Sequence, residues 1–409
     1  MNNSGQLKVL VPRTLFELEK ETFVHVNSEG LTPVEIKWGN GFVSDIKLIK
    51  ENNLPNKILF PRFVETHAHF DKSFSWVNYP NLKSNYENAL SVNLVEHITR
   101  TSETVLKRAE KSINLAIKNG YRAIRTHIDT YDLQDQKIWS ELFNLNKKYS
   151  DFLQLQFVSL AQIEFWGTKK GDLLARHFKE NNGILGGVLV PPFNKTKIIR
   201  SLSKMLLLAQ KYQLEIDLHV DESSIEPGSG IKILLKTIEK LKCKVPITCS
   251  HSSSILFLKN RKLAKLAKKM AENNIKVIAL PLTNFWLLNR QDKNTLLRPV
   301  APVKQLQQSF IDVSIGSDNV QDPWYPFGNF DPFYLMSHAI PMLQLNPWDR
   351  LSMSAIFNAP CRLLNLTWDG VLKKGCPADF VVVEGNGWAD IFSCNLKRKI
   401  LIKGSWYEK

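Results

Sequence analysis

Two histidines one residue apart, His67 and His69, close an apolar and β-branched run, Ile58-Leu59-Phe60-Pro61-Arg62-Phe63-Val64-Glu65-Thr66-His67-Ala68-His69-Phe70-Asp71. Side chains alternate faces along a strand, so residues i and i+2 project together, and both imidazoles leave the carboxyl end of one strand on the same side. Paired imidazoles can bind a divalent metal, but two ligands alone hold it weakly. Other apolar runs end in further ligands. One delivers His219-Val220-Asp221-Glu222, another His251, and a third Gly316-Ser317-Asp318. His67, His69, His219 and Asp318 together make a nitrogen-rich set with one carboxylate and an open position for water, as a catalytic metal site requires. A lone His-x-His is an ordinary structural pair; ligands recurring at separate strand ends are a specific signal.

The chemistry follows from the metal. Water on such an ion has its pKa lowered from 15.7 to about 7. Glu222 lies three residues beyond His219, close enough to sit over the site without being a ligand. Its expected role is proton shuttle, first to a ring nitrogen of the substrate and then to the departing amine. Asp318 is expected to ligate weakly and to accept the water's proton. His251 is expected to face the attacking hydroxide or the developing oxyanion, with a fifth-ligand role the less favoured alternative.

Elements must place these residues at one end of a sheet. Short apolar strands are predicted at Arg122 to Asp129, Leu153 to Gln162, Ile184 to Val190, Glu215 to His219, Val245 to His251, Ile275 to Leu280 and Ile311 to Asp318, after the first at residue 58. Amphipathic helices are predicted between them, including Val92 to Lys118, Lys197 to Tyr212 and Leu234 to Leu241. Eight strands alternating with helices predict a TIM-type (β/α)₈ barrel, whose chemistry sits at the carboxyl ends of its strands. A doubly wound open sheet is disfavoured, because no G-x-G-x-x-G follows the first strand. Before residue 58, Thr32 to Ile49 alternates apolar and polar around Gly39-Asn40-Gly41, a hairpin signature. Residues 375–383 and 399–404 again read as β. Both chain ends are therefore expected to form one small β-sandwich domain (residues 1–58 and 367–409) beside a barrel at 59–366.

Composition narrows the class. No apolar run among the 409 residues reaches the roughly 18 needed to span a bilayer. The N-terminus lacks the basic and apolar segments of a secretory signal, and the five cysteines are odd in number and scattered. That predicts free thiols in a cytoplasmic protein without a membrane partner. The formal charge of +15 raises the question of nucleic acid. Its densest cluster, Lys259 to Met270, places Leu263, Leu266, Ala267 and Met270 at helical spacing, so the lysines read as the wet face of an amphipathic helix. No aromatic residues interleave them, and no nucleic-acid partner is expected.

Five stretches carry a resemblance: Phe63 to Lys72, Arg125-Thr126-His127-Ile128-Asp129, His219 to Glu222, Ser250-His251, and Gly316-Ser317-Asp318-Asn319-Val320-Gln321-Asp322-Pro323-Trp324-Tyr325-Pro326-Phe327-Gly328. In register from about residue 58 to the C-terminus, the chain resembles the bacterial cytosine deaminase branch of the amidohydrolase superfamily. The resemblance implies one divalent metal ion, Fe(II) or Zn(II), and hydrolytic deamination of a pyrimidine-like ring. By motif, His67, His69, His219 and Asp318 match the metal ligands, Glu222 the acid/base, and His251 the histidine beside the attacking water. Gln162 matches the glutamine holding the substrate's ring amide, and Trp324 the aromatic wall of the pocket. Where the best-known cytosine deaminases resemble Asp-Asp, this chain has Asp318-Asn319. An amide both donates and accepts, so the preferred tautomer or ring is expected to change. The resemblance also leaves a homo-oligomer open. Strand four ends without a lysine that could bridge two metals, which disfavours the two-metal members of the superfamily. The His-x-Glu and Pro-Cys-x-x-Cys motifs of the unrelated zinc deaminases are missing as well.

The expected function is displacement of ammonia from a free pyrimidine base, cytosine to uracil. The alternative is C–N cleavage in another small heterocycle, such as isocytosine, a triazine or a creatinine-like ring, and a remote one is a non-catalytic metal or nucleic-acid-binding protein. The stretch Ser75 to Ser91, long and aromatic after the first ligand strand, reads either as a lid or as a packed connection.

Overall fold

A computed structural model describes residues 3–18, 26–49, 55–131, 136–290, 297–393 and 396–408. The chain divides into two compact units: Met1–Val64, Asn114–Ala123 and Phe330–Lys409 in one, Glu65–Ile113 and Ile124–Asn329 in the other.

The strands, in chain order, are β1 (Gly5–Pro12), β2 (Leu31–Gly39), β3 (Phe42–Leu48), β4 (Lys57–Pro61), β5 (Phe63–Ala68), β6 (Tyr121–Asp129), β7 (Gln154–Gln162), β8 (Ile184–Leu189), β9 (Ile216–Val220), β10 (Ile247–His251), β11 (Lys276–Ala279), β12 (Val313–Ile315), β13 (Phe380–Glu384), β14 (Arg398–Ile402) and β15 (Ser405–Trp406). Strands β5 to β12 lie side by side in sequence order as a nearly closed parallel barrel. Its seam is a parallel bridge of Ala68 to Asp318, with Asp318 N–H donating to His67 O at 3.0 Å. The expected TIM-type barrel is thus present, and its strands end where the apolar runs end.

The chain ends build a seven-stranded sheet in the order β15-β14-β13-β4-β1-β2-β3. The expected hairpin is β2–β3, in register Gly39 to Phe42 across Asn40-Gly41. Both turn residues have positive φ (54° and 82°), a conformation that Asn and Gly tolerate best. The sheet curls over: Val43 exchanges backbone hydrogen bonds with Gly375 and Cys376. Val9, Val11, Val34, Ile36, Trp38, Leu59, Phe380 and Leu401 fill its interior.

Several boundaries differ from expectation. The run from Ile58 onward is two strands, because Pro61 has no N–H to continue a ladder; β4 belongs to the seven-stranded sheet and β5 to the barrel. The helix expected from Val92 to Lys118 is two, α1 (Tyr86–Thr99) and α2 (Ser102–Asn119). Arg100 between them is extended, and the Thr101 hydroxyl caps the next turn by accepting from Thr104 N. Helices α3 (Gln136–Tyr149), α4 (Lys169–Glu180), α5 (Lys195–Tyr212), α6 (Ser229–Leu241) and α7 (Asn260–Glu272) follow. Helix α6 starts five residues before Leu234, and the Asp221 carboxylate accepts from Gly230 N and Ile231 N in its first turn. Helix α7 buries Leu263, Leu266, Ala267 and Met270, as its periodicity predicts. Among the described residues no helix is long and apolar enough to cross a membrane. Cys243, Cys249, Cys361 and Cys376 are free and buried; Cys394 lies outside the described residues.

Candidate active site

Each predicted ligand stands at a strand end, and the barrel brings all four together. His69 Nε2 lies 3.3 Å from His67 Nε2, 3.4 Å from His219 Nε2 and 3.3 Å from Asp318 Oδ1. All four side chains are buried. Burial holds the three imidazoles well below their ordinary pKa; neighbouring histidines push His67 and His219 the same way, while Lys72 and His127 lower His69 against the opposing pull of Asp71 and Asp129. Three neutral nitrogens and a carboxylate oxygen therefore converge with too few protons to share, which is the donor set a divalent cation fits. The geometry of the set admits one divalent ion and does not name it.

The backbone around the ligands is arranged for this convergence. Asp318 sits at φ 65° and His251 at φ 67°, left-handed conformations that turn a strand end sharply. Glu65, buried beneath, accepts from His67 N at 3.0 Å and from the Ser317 backbone N–H and hydroxyl, so it ties β5 to the turn that presents Asp318. Burial raises its carboxyl to about 7. Gly316 is required beside it, since a Cβ there would lie 2.9 Å from Glu65 Oε1.

Glu222 is buried, hydrogen-bonded to the Tyr86 hydroxyl, with Oε1 3.5 Å from His251 Nδ1. Burial, then the nearby Asp318 charge, raises its carboxyl well above the usual range, so it can carry a proton at neutral pH. The loop that carries it is pinned one residue earlier by Asp221 on the first turn of α6. Gly230 leaves room for this contact; a Cβ there would meet Leu189 O at 2.7 Å. His251 Nδ1 accepts from Asn284 Nδ2 at 2.9 Å, which leaves the ring proton on Nε2, an atom with no protein partner. Burial lowers His251 to about 4, so the ring is neutral and donates from Nε2.

The site opens into a cavity of about 780 Å³ whose lining includes Glu222, His251, Gln162, Asn319, Trp324 and Tyr86. The Asn319 amide is held: its Nδ2 donates to Asp322 Oδ2 at 2.8 Å, and its Oδ1 is 3.4 Å from Thr283 Oγ1. Asp322 also accepts from Trp324 N (2.9 Å) and Tyr325 N (3.2 Å), so one buried carboxylate sets both Asn319 and the turn that carries Trp324. Trp324 meets Tyr86 edge to face at 5.1 Å.

Sequence reasoning assigned no role to several residues that build the site. Arg100 bonds Asp71 at 2.6 Å and Asp129 at 3.3 Å and pairs with Glu96, while Lys72 donates to Asp129 at 2.7 Å. These buried pairs anchor α1, whose first residue is Tyr86. Backbone bonds from Phe74 N to Val320 O and Trp76 N to Gln321 O fix the chain before it. The Ser75 to Ser91 stretch is thus tied down at its start, while Val77 and Leu82 further along it are exposed. His127, Asp217 and Ser250 lie behind His67. The signal for His127 was the Arg-Thr-His-Ile-Asp stretch, a histidine at a further strand end.

A barrel with three histidines and an aspartate gathered at its strand ends has the architecture of a hydrolase whose site could hold a divalent metal. The chain belongs to the amidohydrolase family, whose sequence pattern residues 153–406 match, and it is a hydrolase acting on C–N bonds. Among characterised proteins it is similar to a pterin deaminase of Rhizobium rhizogenes (25% identity; 93% of this chain, 89% of the other). It is also similar to the N-isopropylammelide isopropyl amidohydrolase of Pseudomonas sp. (24%; 96% and 95%). Among solved structures, the 5-methylcytosine deaminase of Klebsiella pneumoniae with bound phosphonocytosine shares the fold at TM-score 0.82 (20% identity; 98% of both chains).

Proposed function

We propose that the chain is a metal-dependent deaminase of a free N-heterocyclic base, with cytosine to uracil as the leading conversion. The observation that carries this reading is Glu222: a buried carboxyl able to hold a proton, beside His251, in the same cavity as the four-ligand cluster. A binding protein needs neither group. His67, His69, His219 and Asp318 would hold a divalent cation, which would supply acidified water with a pKa near 7. Asp318 accepts the water's proton as the C–O bond forms. Glu222 would donate its proton to the ring nitrogen next to the carbon under attack, take up the proton of the new hydroxyl and pass it to the amine, which leaves as ammonia as the C–N bond breaks and the carbonyl forms; the proton left on Asp318 would then restore Glu222. His251 presents Nε2–H to the oxygen that gains charge. Gln162 holds the ring amide, Asn319 faces the ring, and the Trp324 indole forms a wall.

A second reading has an observation of its own. The Asn319 amide nitrogen is committed to Asp322, and the cavity is in the range of drug-sized ligands, more than one pyrimidine needs. Both favour a larger or differently substituted ring, and relatives named for pterin and isopropylammelide support the same C–N hydrolysis on other heterocycles. The test is ammonia release from cytosine, isocytosine, pterin, an aminotriazine and creatinine by protein loaded separately with iron and with zinc. Metal-dependent release from cytosine is the expected result. Release from another ring alone selects the second reading, and silence on every ring by the metal-loaded protein refutes the deaminase reading.

A further inference from the structure

We propose that Ser250 and Asp217 are positioning residues that fix the tautomer of His67, and with it the grip of the cluster on its cation; the inference rests on the metal-dependent reading of the site. His67 Nδ1 lies 2.9 Å from Ser250 Oγ, and Ser250 Oγ donates to Asp217 Oδ1 at 2.8 Å. Asp217 is held in place from its other oxygen, where Arg125 NH1 donates to Oδ2 at 3.0 Å. A serine hydroxyl has one proton, and a carboxylate only accepts, so that proton belongs to the Asp217 bond. What remains on Ser250 Oγ is a lone pair, and it meets His67 Nδ1 only if Nδ1 carries hydrogen. With Nδ1 protonated, Nε2 is bare, and Nε2 is the atom facing His69 Nε2 and Asp318 Oδ1.

Among the described residues, the other two histidines of the cluster have no such device. Nδ1 of His69 and Nδ1 of His219 are buried without a partner. His67 is also clamped from its face, where the His127 ring stacks at 3.8 Å with planes 27° apart, and His127 Nε2 in turn lies 3.4 Å from Asp217 Oδ1. Asp217 thus meets Arg125, Ser250 and His127 at once, each buried. Histidines that bind metals commonly donate their second N–H to a carboxylate, which orients the ring and raises its basicity. Here the serine hydroxyl is interposed, so the carboxylate acts on His67 one residue removed.

The experiment compares the full-length wild type with Ser250→Ala and Ser250→Thr. Zinc affinity is measured by competition with a chromophoric chelator, and the His67 tautomer by ¹⁵N–¹H correlation spectra of the metal-free protein. The proposal expects Ser250→Ala to bind zinc 10- to 100-fold more weakly and to lose the pure Nδ1–H pattern, while Ser250→Thr, which keeps a hydroxyl, restores both. Thermal unfolding of the metal-free variants shows whether each is folded. A folded Ser250→Ala protein with unchanged zinc affinity, or a wild-type His67 carrying its proton on Nε2, overturns the proposal. Absence of zinc binding in the wild type overturns the metal reading instead; the tautomer spectrum, which needs no metal, still tests the hydrogen-bond chain.

Discussion

Replacing Glu222 by glutamine should leave the protein folded and metal-loaded while removing most of its activity. Glutamine has the same shape, and its Oε1 can accept from the Tyr86 hydroxyl as the carboxyl does. The carboxyl is already pushed toward its neutral form by burial, so a neutral amide costs no new desolvation. Glu222 is not among the groups that converge on the metal position. Stability is therefore expected to stay within about 1 kcal/mol, the usual range for a change that neither opens a cavity nor strands a charge. Activity is a different matter, because an amide cannot shuttle a proton. A positioned acid/base is worth 10²–10⁴-fold, or about 3–5 kcal/mol of barrier at 1.36 kcal/mol per decade. The assay is steady-state ammonia release on the substrate selected by the heterocycle panel, with metal content measured on the same samples. Near-full deamination with metal bound would refute the role given to Glu222. Loss of metal together with activity would mean that it supports the cluster instead.

Two further perturbations address the scaffold. Burial holds Asp322 at about 7, above the unfolded value of 3.8. The folded protein thus keeps a proton between about pH 4 and 7 that the unfolded chain releases, so this group's stabilising contribution is present at low pH and lost as pH rises through 7. Wild-type stability measured relative to Asp322→Asn should fall across that window with a slope of at most about 1.4 kcal/mol per pH unit, and parallel pH profiles in urea melts would exclude the assignment. Arg100→Ala should cost about 3–5 kcal/mol in denaturant unfolding, because it leaves Asp71, Glu96 and Asp129 buried with less compensation. Arg100→Lys should not rescue it, since one ammonium cannot serve three carboxylates in different directions; full rescue would count against the network.

The difference between what the sequence disclosed and what it concealed is a difference in the range of the interactions. Strand periodicity puts His67 and His69 on one side, and the ends of apolar runs locate His219, His251 and Asp318, because the barrel fold gathers strand ends whatever lies between them. Those positions are local readings, and the structure brings all five together. The helix break at Arg100 lies in a stretch without apolar residues, Thr99 to Thr104, where Thr101 and Ser102 are helix-start residues that the expected single helix passed over; what no local pattern shows is the guanidinium drawn inward to carboxylates 29 residues away in either direction. Ser250 is an ordinary strand serine until it is seen 183 residues from His67 in sequence and 2.9 Å from it in space. Asn284 and Tyr86 are likewise unremarked polar residues on helices until their hydrogen bonds to His251 and Glu222 are known. The proposed ligands are legible because metal binding restricts residue type, whereas the partners that orient them need only a hydroxyl, an amide or a carboxylate at the right point. Roles of that kind become visible only when distances do. Replacing partners such as Ser250 therefore tests the folded arrangement itself, as replacing a ligand histidine does not.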